Sequence, residues 1–300
     1  PQVATGIGLK QFMQLVKQNH PALQAQYGSG TTLLTFPTKD FYLPVNKQQV
    51  VEQKVMLEEE AAAIEDRLHL QVEVPYLEKR HLVILDLLST QNWDRPIYFS
   101  TNIPASDYVG LQQYRQLEGF AYRILPVRNN GQVEQEPINK AVLYDNLMHK
   151  FSYRNLDSPS IYLDQNYLNF AAAAREKFAL LAKAYVEAGD REKAKEVIDF
   201  CFRKIPLDTV PSDFYTPKFI PLLTAIGETE RAAQLVQHIA RNTQQELDFY
   251  LAKGALYERK VQFNMLQLQE LIIAAQDSGM LAEAKQLEQP FMQYLQRMRQ

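Results

Sequence analysis

The chain has 300 residues, of which 46% are hydrophobic and 22% are charged, and its formal net charge is −3 at pH 7. This composition is typical of globular proteins with a buried core, and the nearly balanced charge gives no electrostatic reason to expect nucleic acid as a partner. The single cysteine, Cys201, excludes an intrachain disulfide and any metal site that needs several cysteines. No apolar run approaches the roughly 18 residues that cross a bilayer. The sequence therefore predicts soluble material, and its length predicts two domains.

The N-terminal part mixes predicted helices and strands. Helices are predicted from apolar spacing, and strands from alternation or β-branched content. In chain order the elements are a helix over 8–19, strands over 31–36, 40–45 and 68–74, and a helix over 77–89. The last helix is strongly apolar and is predicted to be buried against the sheet, which leads to the expectation of a βαβ-type crossover. The acidic run Glu58-Glu59-Glu60 is interpreted as a solvated face.

Residues 92–127 form the stretch around which the chain is organised. Two runs rich in aromatic and branched residues, 97–101 and 120–127, predict strands. Between them Pro104, Asp107 and Gly110 indicate a loop, with a short helix predicted over 109–117. A turn is predicted at Asn129-Asn130-Gly131. The stretch shows no metal-ligand spacing, no phosphate loop and no nucleophile paired with a base, so it specifies no reaction.

The motif Asn92-Trp93-Asp94-Arg95-Pro96-Ile97-Tyr98-Phe99, followed by Gly110-Leu111, Tyr114, Gln116-Leu117-Glu118-Gly119, Tyr122-Arg123 and Pro126, resembles the signature of a bacterial family of large multi-pass membrane proteins. The resemblance covers roughly 35–206. Members have a hydrophobic N-terminal half resembling C-type glycosyltransferases, related to protein O-mannosyltransferases, and a soluble C-terminal region.

The resemblance implies where the chain comes from and where it works. Because the chain starts with Pro1 in polar sequence, it is expected to be a C-terminal fragment whose membrane-embedded N-terminal half is missing. The fragment would lie on the extracytoplasmic, periplasmic side. The full-length protein would be a protein O-mannosyltransferase-like glycosyltransferase if it is an enzyme.

Six residues of the central stretch are the candidate ligand-binding residues: Trp93, Arg95, Tyr98, Tyr114, Glu118 and Arg123. Under one interpretation they line a glycan or peptide groove, in which aromatic faces stack on sugars and charged groups orient hydroxyls. Under the other, favoured interpretation, Arg95 or Arg123 pairs with Glu118 and locks the loop to the sheet. No catalytic residue, metal ligand or cofactor is predicted.

From Phe170 onward the sequence is helical, and residues 175–208 resemble the tetratricopeptide pattern. Gly189 falls at the turn between two helices and Ala194 at the small packing position. The other matching positions are Phe178, Leu181, Ala182, Tyr185, Ile198, Cys201 and Pro206. Weaker echoes follow at Gly227 with Ala232 and at Gly279 with Ala284, an extra helix is predicted around 245–256, and the polar residues 293–300 suggest a capping helix.

Isolated polar residues have plain structural interpretations. The five histidines lack helical pairing, so each is predicted to be a surface or locally bonded residue rather than a zinc ligand. Cys201 is predicted to be a packing cysteine. Asp164 and Asn166 either cap the first long helix or bind a cation, and capping is favoured.

The predicted fold is an α+β or α/β domain over 1–150, a linker or docking segment over 151–169, and an all-α tetratricopeptide-like domain over 170–300. The leading functional hypothesis is a non-catalytic binding or assembly module whose partners are protein, glycan and its own membrane half. In the second hypothesis the central stretch contributes residues to glycosyl transfer or glycan cleavage. In the third, the chain only supports the membrane half.

Overall fold

A computed structural model describes residues 6–28, 30–36, 38–129 and 137–298. The backbone divides into two compact units, one up to Asn139 and the other from Lys140 onward. Residues 140–150, which the sequence pattern assigns to the first domain, form the first helix of the second unit. The first unit is built on small sheets and the second is helical, so the predicted order of an α+β part followed by an all-α part is confirmed.

The first unit is built from short strands and helices. In chain order these are β1 (Ile7–Gly8), α1 (Leu9–Lys17), β2 (Gln24–Tyr27), β3 (Thr31–Leu34), β4 (Asp40–Pro44), α2 (Lys47–Glu52), β5 (Arg67–Gln71), α3 (Lys79–Thr90), β6 (Tyr98–Ser100), β7 (Arg115–Leu117) and β8 (Ala121–Ile124). The helices predicted over 8–19 and 77–89, and the strands predicted over 31–36, 40–45 and 68–74, all occur at these places. The run Glu58-Glu59-Glu60 opens a 3-10 helix, Glu58–Ala63.

The first sheet has the strand order β1-β4-β5, with β1 parallel to β4 and β4 antiparallel to β5. Helix α1 directly follows β1 and packs on β4, where the rings of Phe12 and Phe41 lie 4.8 Å apart between centroids. Leu68 and Leu70 of β5 are fully buried while His69 between them is not, which is the alternation expected of a strand with one buried face. Strands β2 and β3 form a separate antiparallel hairpin.

Helix α3 differs from the prediction in two respects. Val83 and Leu87 are each 57% exposed, whereas Leu85 and Leu88 are fully buried, so the helix buries one face only. The expected crossover through α3 is also wrong, because β5 lies in the first sheet and β6 in another. A run of apolar residues without periodicity does not reveal which of them face the core.

The second sheet is antiparallel and has the order β6-β8-β7, with β8 as its central strand. Its buried face carries Phe99, Leu117 and Tyr122. The helix predicted over 109–117 is wrong: a single 3-10 turn, Gln112–Tyr114, leads directly into β7. Cross-strand pairing with β8 decides the conformation of these residues, whose local sequence is compatible with a helix. The turn predicted at 129–131 lies largely outside the described residues.

The second unit consists of helices joined by tight turns and by longer loops. The helices are α4 (Lys140–Asp145), which continues into a π-helical turn (Asn146–Lys150), then α5 (Gln165–Glu187), α6 (Arg191–Lys204), α7 (Phe219–Ala225), α8 (Thr229–Lys253), α9 (Glu258–Asp277) and α10 (Leu281–Arg297). The longer loops precede α5 and α7. None of the helices in the described part of the chain combines the length and the apolarity that crossing a membrane requires.

Three helix pairs in this unit share one kind of connection. The turns contain Gly189, Gly227 and Gly279, whose φ angles are 75°, 91° and 74°. Each glycine is followed at the same spacing by a buried alanine: Ala194, Ala232 and Ala284. Glycine adopts the left-handed conformation without steric cost, and alanine lets two helices approach closely. The aromatic and aliphatic positions predicted to be core in the first pair, Phe178, Leu181, Tyr185 and Ile198, are buried.

Other predictions for this unit have mixed outcomes. The separate helix expected around 245–256 is wrong, since α8 runs unbroken to Lys253. The predicted linker ends at α5, where the Asp164 carboxylate accepts hydrogen bonds from the backbone N–H groups of Asn166 and Tyr167 at 2.9 and 3.1 Å. The capping interpretation is therefore confirmed for Asp164, whereas Asn166 lies in the first turn of α5. Cys201 is fully buried and burial raises the pKa of its thiol, as a packing cysteine requires.

Candidate functional site

The candidate ligand-binding residues do not converge on one groove. Trp93 is 7% exposed and has a φ of 60°, so its side chain belongs to the core at a strained turn before β6. Tyr114 is fully buried, and its hydroxyl accepts a hydrogen bond from the backbone N–H of His69 in β5 at 2.8 Å. Arg95 is exposed and makes no ion pair with any described residue. Trp93 and Tyr114 therefore act as packing residues.

The remaining three residues meet in what we call the Glu118 cluster, formed by Tyr98, Glu118, Arg123 and Asn139. Tyr98 and Arg123 are direct cross-strand partners in β6 and β8. The Tyr98 hydroxyl donates to Glu118 Oε2 at 2.6 Å, and Asn139 Nδ2 donates to Glu118 Oε1 at 3.1 Å. Arg123 Nη1 lies 3.8 Å from the same Oε1. The predicted proximity of Arg123 to Glu118 is thus present, whereas Arg95 takes no part.

The cluster is arranged around a buried carboxylate. Glu118 is 4% exposed, whereas Tyr98 is 47% exposed and forms the accessible side of the cluster. A buried carboxylate is tolerated only when it is hydrogen-bonded or paired, and here a phenol, an amide and a guanidinium surround it. Its acceptor capacity is directed at neighbouring protein groups, which favours the structural interpretation of the cluster.

Local backbone geometry explains how Glu118 reaches this position. Gly119 has a φ of 148° and reverses the chain between β7 and β8, so that the Glu118 N–H donates to the carbonyl of Ala121 at 3.1 Å. Such a backbone conformation is rare for residues with a side chain. The turn places the carboxylate beside the strand that carries Arg123.

Sequence reasoning missed Asn139. The segment before the second unit runs beside β7: Leu117 and Ile138 form a parallel bridge, and the Asn139 N–H donates to the Leu117 carbonyl at 3.0 Å. This backbone pairing carries the Asn139 amide to Glu118. No sequence pattern indicates the contact, because an asparagine at the end of a polar loop is typical of many surfaces.

Replacing Tyr98 with phenylalanine tests the bond to Glu118. Burial, followed by the hydrogen bond to Glu118, raises the pKa of Tyr98 from 10.0 to about 12. The pKa of Tyr98 is higher in the folded protein than in the unfolded chain. The protonated Tyr98 hydroxyl therefore contributes its full stabilisation of the fold below pH 10, and this contribution is lost as the pH rises to about 12. We expect Tyr98→Phe to lower the free energy of unfolding by about 1 kcal/mol at neutral pH. This is less than a fully buried hydrogen bond to a carboxylate would contribute, because water reaches the half-exposed Tyr98 side chain.

Urea unfolding at a series of pH values measures this effect. The difference between wild type and Tyr98→Phe should narrow above pH 10. Tyr76→Phe, at a tyrosine of the same unit that is 65% exposed, is the control and should leave stability nearly unchanged. A difference that stays constant over the alkaline range would show that the hydrogen bond to Glu118 does not hold the Tyr98 proton.

The histidines bond to near neighbours in sequence or in the adjacent strand or loop. The partners are Ala22 N–H for His20, Asp40 for His69, Glu78 N–H and Asp107 for His81, Asp145 for His149 and Asn242 for His238. Within the described ranges no three His, Cys, Asp or Glu side chains come together as a metal-binding group.

The comparisons with known proteins concern the first unit. Residues 2–142 match a family model described as TMEM260-associated domain 2, which fits a domain of a membrane protein family. The matched residues include the whole Glu118 cluster. No curated protein and no solved structure matches the chain.

Proposed function

We propose that the chain is a non-catalytic binding and assembly module of a membrane glycosyltransferase-like protein. It holds polypeptide or glycan on the extracytoplasmic, periplasmic side and adjoins its own membrane-embedded half. The match of residues 2–142 to a TMEM260-associated domain supports the membrane-protein context. The motif from Asn92 to Pro126 supports the glycosyltransferase-like assignment through its resemblance alone.

A tetratricopeptide-like character of the helical unit is part of this proposal. The left-handed turn glycines and buried alanines of three successive helix pairs support it. Stacked helix pairs of this kind present extended binding surfaces in many proteins. The length of α8, from Thr229 to Lys253, departs from a regular repeat.

The observation that carries the binding function is a group of exposed aromatic side chains at the start of α5, which we call the aromatic patch. Tyr162, Tyr167 and Phe170 are 88%, 60% and 70% exposed. Tyr167 and Phe170 are three residues apart on the helix and therefore lie on the same side of it. Grouped exposed aromatic residues mark protein-binding surfaces, because their burial against a partner releases water from large apolar areas.

The burial of Glu118 argues against a catalytic role for the Glu118 cluster. A hydrolytic or transfer site would need a carboxyl group that reaches the substrate, whereas Glu118 is buried and bonded to Tyr98 and Asn139. The enzymatic and purely structural hypotheses are the alternatives to be excluded by experiment.

We expect the double variant Tyr167→Ser/Phe170→Ser to bind polypeptide at least about tenfold more weakly than wild type, because aromatic anchors dominate such interfaces. Reduced, carboxymethylated lactalbumin serves as the unfolded probe, measured by fluorescence anisotropy, with a glycan array in parallel. The matched control is Val83→Ser/Leu87→Ser, which removes an equally exposed apolar pair from α3. Equal losses in both double variants, or no binding of polypeptide and glycan by wild type, would contradict the proposal.

A further inference from the structure

The helical unit contains a pocket of about 310 Å³ between α8, α9 and the loop that follows α6. Its lining combines polar side chains with apolar and aromatic ones, although the pocket lies among packed helices. The lining side chains that matter most are Ser212, Thr243, Glu246, Phe249, Asn264 and Gln267. Among the described residues that line the pocket there is no lysine or arginine, and Glu246 is the charged one.

Three of these polar side chains are almost completely buried. Thr243, Asn264 and Gln267 are each 2% exposed. Asn264 and Gln267 are three residues apart on α9, so they lie on one face of the helix. Amide side chains rarely occupy buried positions in helices, because an amide that leaves water without hydrogen-bond partners is destabilising. Their presence on one buried face calls for a partner.

In each of the two amide side chains, the described protein groups pair with the NH2 group. Asn264 Nδ2 donates to Glu246 Oε2 at 2.9 Å and to the Lys260 carbonyl at 3.0 Å. Gln267 Nε2 donates to Ser212 Oγ at 3.1 Å. Within the described part of the chain, no hydrogen bond reaches the carbonyl oxygen of either amide, and the buried Thr243 hydroxyl also lacks a partner. The pocket therefore presents unused acceptors, to which the Glu246 carboxylate adds more.

An aromatic surface lies beside these acceptors. Phe249 is 54% exposed, and its ring lies 5.3 Å from that of Tyr250 in an edge arrangement. Acceptors without any cation select a ligand that donates hydrogen bonds and carries no negative charge. An aromatic face suits a ligand that also has an apolar side, and the volume is at the small end for ligand pockets.

We infer that this pocket binds one ring of a neutral carbohydrate. The sugar hydroxyls donate to Asn264 Oδ1, Gln267 Oε1 and Glu246, and the C–H face of the ring packs against Phe249. The inference rests on the proposed binding function, because it assigns the glycan part of that role to α8 and α9. The aromatic patch is a different surface, at the start of α5.

Saturation-transfer NMR on the whole chain tests the pocket with methyl glycosides of the common neutral hexoses and N-acetylhexosamines. Asn264→Leu and Gln267→Leu remove the acceptors at similar volume and should each weaken glycoside binding at least about tenfold. Gln269→Leu, the same substitution at an exposed position of α9, is the control and should bind like wild type. Glucose 1-phosphate should not bind, because no described lining residue is a cation that could pair with its phosphate and Glu246 would repel it.

Thermal melting distinguishes a ligand role from a structural one. If the amides serve a ligand, leucine at Gln267 should leave the Tm unchanged or raise it, since a half-satisfied amide is replaced by an apolar group. Phe249→Ser removes the exposed aromatic face of the pocket and is the second variant if either leucine variant fails to fold. It should fold as stably as wild type and bind the glycoside more weakly.

Several results would overturn the inference. These are the absence of binding by every neutral glycoside, unchanged binding in the folded variants, and occupation of the pocket by n-butylammonium instead of a sugar. If lactalbumin binds through the aromatic patch while no glycoside binds, the pocket inference fails and the proposed binding function stands. If neither probe binds, both fail.

Discussion

Replacing Arg175 with methionine is expected to destabilise the helical unit by about 4 kcal/mol, the largest effect of any single substitution considered. Arg175 lies in α5 and is 0% exposed. Its guanidinium holds the loop between α6 and α7. The acceptors, with distances from the Arg175 nitrogens, are the carbonyls of Pro211 (2.6 Å), Ile205 (3.1 Å) and Val210 (2.6 Å) and the carboxylate of Asp213 (2.8 Å).

The physical reason is the number of groups left without partners. Methionine fills most of the volume, but it leaves three carbonyls and the Asp213 carboxylate without the donor that compensates their burial. Asp213 also accepts hydrogen bonds from the backbone N–H groups of Tyr215 and Thr216, so disturbance at Arg175 spreads along the loop. Thermal melting should show a fall in Tm of about 10 °C.

Two further variants make the expectation specific. Arg191→Met, at an exposed arginine of α6, should change the unfolding free energy by less than about 0.5 kcal/mol. Asp213→Asn keeps an oxygen that can accept the hydrogen bonds of the turn but removes the negative charge. In a double-mutant cycle, the loss of unfolding free energy in the double variant should therefore be smaller than the sum of the losses in Asp213→Asn and Arg175→Met. Strict additivity, or an Arg175→Met protein as stable as wild type, would show that this buried pair does not hold the loop.

Replacing Gly110 with alanine is expected to destabilise the first unit by about 3 kcal/mol. Gly110 has a φ of 90°, and a Cβ built on it would lie 2.6 Å from the backbone nitrogen and 2.9 Å from the carbonyl oxygen of Gln71. These are main-chain atoms at the end of β5, so they cannot move aside as a flexible side chain would. The loop after β6 and the first sheet must therefore separate.

A control variant separates the steric clash in Gly110→Ala from the cost of a left-handed backbone. Gly28→Ala introduces a Cβ at a φ of 61° with no atom within 4 Å, so it should cost only the left-handed penalty, about 1 kcal/mol. Urea unfolding of both variants provides the comparison. Equal costs at the two positions would mean that the close approach to Gln71 relaxes without loss of stability.

The Glu118 cluster shows how far a sequence predicts a site. The chemical types and the approximate location follow from the density of aromatic and charged residues between Trp93 and Arg123. The sequence does not predict which of those residues come together, because that depends on burial. Trp93 and Tyr114 are core residues and Arg95 is exposed. Of the six, Tyr98 and Arg123 flank Glu118. Asn139 joins them through a backbone pairing that no local pattern contains.

The pocket of the helical unit was beyond prediction for a related reason. Asn264 and Gln267 are polar residues in a long helix, where polar side chains usually face water. Their burial depends on the position of α8 and of the loop after α6. A sequence signal exists only in retrospect, in the three-residue spacing of two amides on a face that also carries Leu268 and Leu271.

By itself, the sequence determined the features that depend on neighbours a few residues apart. Period-two alternation identified β5, helical spacing identified α1, and the glycine and alanine of the α5–α6 pair predicted their turn and their close packing. The tertiary structure alone decided what depends on long-range contacts: the strand conformation of β7, the placement of β5 and β6 in different sheets, and the burial of Glu118 and Arg175. Local patterns encode which face of an element is apolar, whereas partner choice follows from packing and hydrogen bonding between segments that are distant in the chain.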